Sequence, residues 1–210
     1  MLDYQVVNTS MLATNTYIIY NQETKEAILI DIGDNAEQVY QLIKDKGFTL
    51  KYILITHMHF DHSNGVKKLK ELSNATVYIP ALEEDFIKTF KNLAVGVGNV
   101  YNRFTPDVLL KGGEKLELCG YTIDVVHTPG HTVGGLTYVF DKENVMFVGD
   151  TLFKGSYGRV DLPTGNFTSM LESIEKLCSY QKNYLLLCGH GDSTTLDEEK
   201  INNGYSKNNN

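Results

Sequence analysis

His57-Met58-His59-Phe60-Asp61-His62 places three imidazoles and a carboxylate within six residues. The stretch follows the apolar run Lys51 to Thr56 (KYILIT), which reads as a strand. It precedes Ser63 to Leu72, which reads as a helix with Val66, Leu69 and Leu72 facing inward. It therefore lies at the carboxyl end of a strand, where open sheets place their ligands. Four ligand-type side chains this close in sequence cannot be spread apart in space. A polar loop has no structural need for three imidazoles.

Outward from this stretch, three more ligand-type residues share its context. His131 follows the strand YTIDVV (121–126), in His127-Thr128-Pro129-Gly130-His131. Asp150 follows VMFV (145–148), and His190 follows YLLLC (184–188). Each alone is weak evidence. Together with the first four they make five histidines and two aspartates at strand ends. Neutral imidazole and carboxylate are the donors of zinc, and also of iron or manganese. Seven donors exceed one tetrahedral zinc and fit two divalent ions if one carboxylate is shared. Without a cysteine among them, a structural thiolate-type zinc site is disfavoured.

The rest of the chain alternates strand and helix signals. YIIY (17–20) and AILI (27–30) form a strand pair across the polar turn Asn21 to Glu26. Asn35 opens a helix with Val39, Leu42 and Ile43 on one face, and Gly47 stops it. Thr76 to Ile79 is a short strand and Ala81 to Leu93 a helix. Residues 94–115 read as loop, marked by Gly96, Gly98, Pro106, Gly112 and Gly113. Strands follow at 116–118, 121–126, 136–140 and 145–148, a helix at 167–177, a strand at 184–188 and a last helix at 196–202. The Asn-rich tail, 203–210, is expected to fray. The mixture of strand-helix units and consecutive strands predicts sheets covered by helices in an α/β protein, and no linker divides the 210 residues into two domains.

Composition narrows the function. Lys and Arg number 19 against 26 Asp and Glu, a formal charge of −7, which argues against a nucleic-acid partner. No run of 18 apolar residues suggests a membrane span. The start MLDYQVVNTSML lacks a basic-then-apolar leader. Three widely spaced cysteines, Cys119, Cys178 and Cys188, read as buried free thiols of a cytoplasmic protein.

The chain resembles the metallo-β-lactamase superfamily, on Thr56 to His62, then His131, Asp150 and His190 in that order. The resemblance implies an αβ/βα sandwich, two mixed β-sheets flanked by helices, with the metals at one edge between the sheets. It implies one ion on His57, His59 and His131, a second on Asp61, His62 and His190, and Asp150 between them, with Asp61 and Asp150 as the catalytic carboxylates. Asp31 looks like the acid that orients a ligand histidine through its far nitrogen. His127 is not a family ligand and reads as a supporting histidine. Phe147 to Phe153 and Thr128 to Thr132 are similar to glyoxalase II-type thioester hydrolases, which implies thioester cleavage by a water held between the ions, zinc being the first expectation. Arg159 and Tyr157 fall where those enzymes meet substrate. Two departures weaken the case for glutathione: the helical domain that contacts it is missing, and Asp161 stands at the position of a substrate-contacting tyrosine. Residues 155–163 look more like the short, single-domain bacterial relatives.

The alternatives on this fold are a persulfide dioxygenase, with one iron on His57, His131 and Asp150, and another ester, lactone or β-lactam hydrolase. The missing leader speaks against a secreted antibiotic-degrading enzyme. A flavoprotein relative would carry a glutamate at position 59 and a flavin domain. A binding module that kept the fold would need no intact donor set.

Overall fold

The computed structural model describes residues 2–203. Two six-stranded mixed sheets pack face to face. The first runs in the order β1 (Tyr4–Thr9), β2 (Thr14–Asn21), β3 (Glu26–Ile30), β4 (Thr49–Leu54), β5 (Thr76–Pro80), β6 (Val108–Leu110). β1, β2 and β3 pair antiparallel, and β3 to β6 run parallel. The second sheet runs β14 (Thr194–Thr195), β13 (Leu185–Cys188), β10 (Val145–Gly149), β9 (Leu136–Phe140), β8 (Tyr121–His127), β7 (Lys115–Leu118), with β10 and β13 its parallel pair. A small ribbon of β11 (Leu152–Phe153) and β12 (Ser156–Tyr157) follows β10.

The central strands are apolar on both faces because both faces are covered. In β3, Ile28 and Ile30 point into the core between the sheets, while Ala27 and Leu29 point out. The outward set packs under α1 (Ala36–Asp45) through Val39 and Ile43, and under α3 (Val66–Ser73) through Val66 and Leu69. In β10, Val145 and Phe147 point inward. Met146 and Val148 pack under α4 (Phe167–Cys178), against Met170, Ile174 and Leu177, beside Leu196 of α5 (Leu196–Asn202). Three apolar layers thus bind four layers of secondary structure, helix–sheet–sheet–helix, as the resemblance implied. No helix of the described residues is long and apolar enough to cross a membrane.

Several local expectations are corrected. Tyr4–Thr9 forms an edge strand ahead of the expected strand pair. Asn35 sits at the start of α1 but in the left-handed region, φ 61°, and its side chain caps nothing. Ala81–Lys88 is a 3₁₀ helix, and Phe90–Asn92 a second short one, in place of a single helix over 81–93. β6 lies inside the segment read as loop. Cys119 and Cys188 are buried free thiols, whereas Cys178 is half-buried. The expected fraying of the tail falls, apart from Asn203, outside the described residues.

Candidate metal centre

Every ligand-type residue leaves the carboxyl end of a strand on the same edge of the sandwich. β4 delivers His57, and His59 precedes α2 (Phe60–Ser63), one helical turn that sets Asp61 and His62 side by side. β8 leads into the loop of His131, β10 into Asp150 and β13 into His190. β10 and β13 are locked where they end: the Gly189 amide donates to the Gly149 carbonyl at 2.8 Å.

The donors gather in overlapping groups: His57, His59 and His131; Asp61, His62 and His190; and His57, His62 and Asp150. Within each, the ligand atoms lie within 4.8 Å of one another. His59 Nδ1 faces His131 Nε2 at 3.0 Å, and His62 Nε2 faces His190 Nε2 at 3.2 Å. Asp150 reaches both sides, 3.5 Å from His131 Nε2 and 3.5 Å from His62 Nε2. His57, His59, Asp61, His62 and His131 are buried, while the His190 side chain is 26% exposed, so the centre opens to solvent at that side.

Four of the imidazoles are oriented from behind. His62 Nδ1 donates to Asp31 Oδ2 at 2.8 Å, His131 Nδ1 to the Arg159 carbonyl at 2.7 Å, and His190 Nδ1 to the Leu12 carbonyl at 3.1 Å. Thr56 Oγ1 donates to Asp31 and so accepts from His57 Nδ1, at 3.1 Å. With the proton fixed on Nδ1, each Nε2 presents a lone pair to the centre. Asp31 serves two of these contacts from a left-handed backbone, φ 57°, a strained position for a residue with a side chain.

These residues fit a pair of cations. His57 Nε2 and Asp150 Oδ1 are buried acceptors without a hydrogen-bond partner, which is costly unless an ion or proton satisfies them. Without an ion, protons meet part of the excess. Burial opposes charge on His62, yet the carboxylates of Asp61, Asp150 and Asp31 outweigh it and lift the imidazole to about 10. Burial and the neighbouring imidazoles push His57 and His59 well down. Burial works against the Asp61 carboxylate as well, but His62 and His190 hold it below the usual range. Backbone approaches as close as this requires. A Cβ on Gly189 would stand 2.1 Å from Asp150 Oδ1, and one on Gly158 1.9 Å from the Asp150 carbonyl.

The other expected residues fall as follows. His127 turns its Nε2 to the Val133 carbonyl at 3.0 Å and so ties down the loop that carries His131. Arg159 lines the cavity over the centre, but its Nε and Nη2 are both held by Asp161 at 2.7 Å. Tyr157 does not line that cavity. Its ring packs into the cluster under α4, 6.2 Å from Phe167.

Sequence reasoning missed the supports. Buried Glu83 accepts from the Met58 amide at 2.6 Å and from the Gly134 amide at 2.8 Å, so one carboxylate joins the two loops that carry His57, His59 and His131. Asn15 Nδ2 donates to the carbonyls of Cys188 and Gly191, and Tyr17 to that of Cys188, on either side of His190. Thr14 Oγ1 donates to Asp61. Tyr17 opens the strand read at 17–20 and Asn15 stands two residues before it, but nothing in spacing ties them to a loop more than 170 residues away. Asp31→Asn should weaken metal binding about 10- to 100-fold by replacing an acceptor that orients His62 directly and His57 through Thr56. Competition against a chromogenic chelator measures this, and unchanged affinity would remove Asp31 from the ligand support.

The chain belongs to the metallo-β-lactamase superfamily, whose family profile matches residues 10–190. A hydroxyacylglutathione hydrolase, GloC, of Haemophilus influenzae is 31% identical over 97% of this chain and 98% of its own. Among solved structures, the B3 metallo-β-lactamase BLEG-1 superposes with a TM-score of 0.88 at 32% identity, covering 98% of this chain and 100% of the other. TTHA1623, solved in a di-iron-bound form, gives 0.87 at 31% identity over 96% of this chain and 99% of its own. The fold and family make the protein a metal-dependent hydrolase.

Proposed function

We propose that the protein hydrolyses a thioester, releasing an acid and a thiol, with two divalent ions on His57, His59, His131, Asp61, His62 and His190 and with Asp150 shared between them. The observation that carries this reading is the pairing of two three-donor groups with one carboxylate in reach of both, in the floor of a cavity of about 660 Å³. Ions bound there supply Lewis acidity and a water whose pKa falls from 15.7 toward about 7. The chain's own part is orientation and exclusion. Asp31, Thr56 and the carbonyls of Arg159 and Leu12 hold four imidazoles in one tautomer. Phe60, Phe153 and Leu162 wall the cavity and keep bulk water from the reacting carbonyl. No serine or cysteine nucleophile is required, and burial pushes the thiol of Cys188 up to about 12. Zinc is the proposed ion; the imidazole and carboxylate donors also accept iron or manganese.

The likeness to GloC favours a thioester among the substrates of the superfamily. One-iron persulfide oxidation would use His57, His131 and Asp150 and leave the second group of Asp61, His62 and His190 without a role. The test is turnover of a thioester panel, with a chromogenic cephalosporin and glutathione persulfide alongside. Exhaustive chelation should abolish thioester cleavage, and added zinc should restore it. Thioesterase activity that survives chelation, or oxygen uptake with the persulfide in place of cleavage, would overturn the assignment.

A further inference from the structure

Apart from the metal donors and Gly96, the cavity is lined by six apolar side chains, Leu12, Phe60, Leu93, Val97, Phe153 and Leu162, and by one cation, Arg159. That cation is not free. Asp161 occupies its guanidinium fork, so the rim carries a neutral pair. The two loops that bring Leu12, Leu93 and Val97 to the cavity also leave apolar side chains in water. Met11 is 72% and Leu12 50% exposed on the β1–β2 turn, and Phe90, Val95, Val97 and Val100 stand exposed on the segment after β5. Leu12 and Val97 are both exposed and part of the cavity lining, and apolar side chains in that position mark a binding surface.

The second loop is built, not loose. Buried Asn92 donates to the carbonyls of Phe86 and Thr89 and accepts from the Ala94 amide, which holds Leu93 at φ 67°. A leucine in the left-handed region costs energy that the surrounding bonds must offset. The result is Leu93 and Val97 over the metal donors.

We infer that this cavity takes an apolar acyl group, an aliphatic or aromatic chain, and that it selects against thiol carriers bearing several charges. The inference rests on the thioesterase reading above and specifies its substrate. The chain of the acyl group lies along Phe60, Leu93 and Val97, with its carbonyl carbon at the metal donors. One water is consumed: a C–O bond forms at that carbon, the C–S bond breaks with its electron pair on sulfur, and the thiol takes up one proton of the water. Glutathione, with two carboxylates and an ammonium, meets a rim whose single guanidinium is already paired.

The experiment uses the metal-loaded enzyme and acetyl, butanoyl, hexanoyl and octanoyl thioesters of N-acetylcysteamine, with S-lactoylglutathione in parallel. Each added methylene up to hexanoyl should raise kcat/KM about three- to fourfold, the gain expected when it leaves water for an apolar wall. Hexanoyl should exceed lactoylglutathione at least tenfold. Val97→Asp, at an exposed position on the cavity wall, should flatten the chain-length slope. Binding of the inert thioether S-octyl-N-acetylcysteamine, measured by calorimetry, should exceed that of its S-ethyl counterpart and weaken in Val97→Asp. Cleavage that is flat or falling with chain length, or best with lactoylglutathione, would overturn the inference and leave the thioesterase reading intact. Absent cleavage with chain-length-dependent binding of the thioether would sink the thioesterase reading and support the apolar pocket. Absent cleavage without such binding would overturn both.

Discussion

Asp150→Ala should lower kcat/KM by roughly a thousandfold or more, a loss of about 4 kcal/mol of transition-state stabilisation. The reason is geometric. Asp150 is the carboxylate in reach of both donor groups, 3.5 Å from His131 and from His62, so its removal strips a donor from both sides at once. Ion binding should weaken by more than the 10- to 100-fold typical of an indirect support. The fold should survive. The contacts of its side chain are ion pairs with His62, His131 and His190 of the same centre, and Oδ1 accepts no hydrogen bond, so the packing outside the centre does not rest on it. Chelator-treated variant and parent should therefore melt within a few degrees of each other. Full ion content in an inactive variant would place Asp150 in the chemistry but outside the ion set. Full activity would remove it from both.

Glu83→Ala is the second large effect, and it acts on stability first. The substitution leaves the amides of Met58 and Gly134 buried without an acceptor, at about 1–3 kcal/mol each, and opens a void besides. A loss of about 4 kcal/mol is expected, which for a chain of this size lowers Tm by roughly 10 °C. Activity should fall too, because the two loops joined by Glu83 carry His57, His59 and His131. Glu83 also gives a pH signature. Burial pushes its carboxyl from 4.5 up to about 7, against the hydrogen bonds it accepts. Between those values the folded chain retains a proton that the unfolded chain has released. Stability from this group is complete below about 4.5 and declines as pH rises through about 7, by on the order of 3 kcal/mol. Glu83→Gln cannot titrate, so its stability relative to the parent should rise across that window. Denaturant melts of both proteins at pH 5 and pH 8 measure the difference, and parallel curves would remove Glu83 as the titrating group.

The sequence was most legible where residue type and position coincide. His57, His59, Asp61 and His62 lie together because they are neighbours in the chain. His131, Asp150 and His190 could be added because each follows an apolar strand, and β8, β10 and β13 run in the same direction within their sheet. The fold class was legible for the same reason: runs such as AILI and VMFV are apolar at every position only when both faces are covered. Supports at long range were not. Glu83 sits in a stretch whose charged pattern suggests a solvated helix, yet it is buried, and the 3₁₀ conformation of Ala81–Lys88 accompanies that inward turn. β1 carries no turn signal, because its turn to β2 is Ser10-Met11-Leu12-Ala13, without glycine or proline, with Ser10 and Ala13 in the left-handed region instead. β6, three residues between Pro106 and Gly112, is too short to show a period.

We propose that one edge of the sandwich holds two ions with a carboxylate between them. Anomalous diffraction from crystals of the zinc-saturated protein, collected on both sides of the metal edge, tests it directly. Two peaks per chain are expected, one among His57, His59 and His131 and one among Asp61, His62 and His190, each within bonding distance of Asp150. A single peak at saturation, or two peaks with Asp150 in contact with neither, would contradict it.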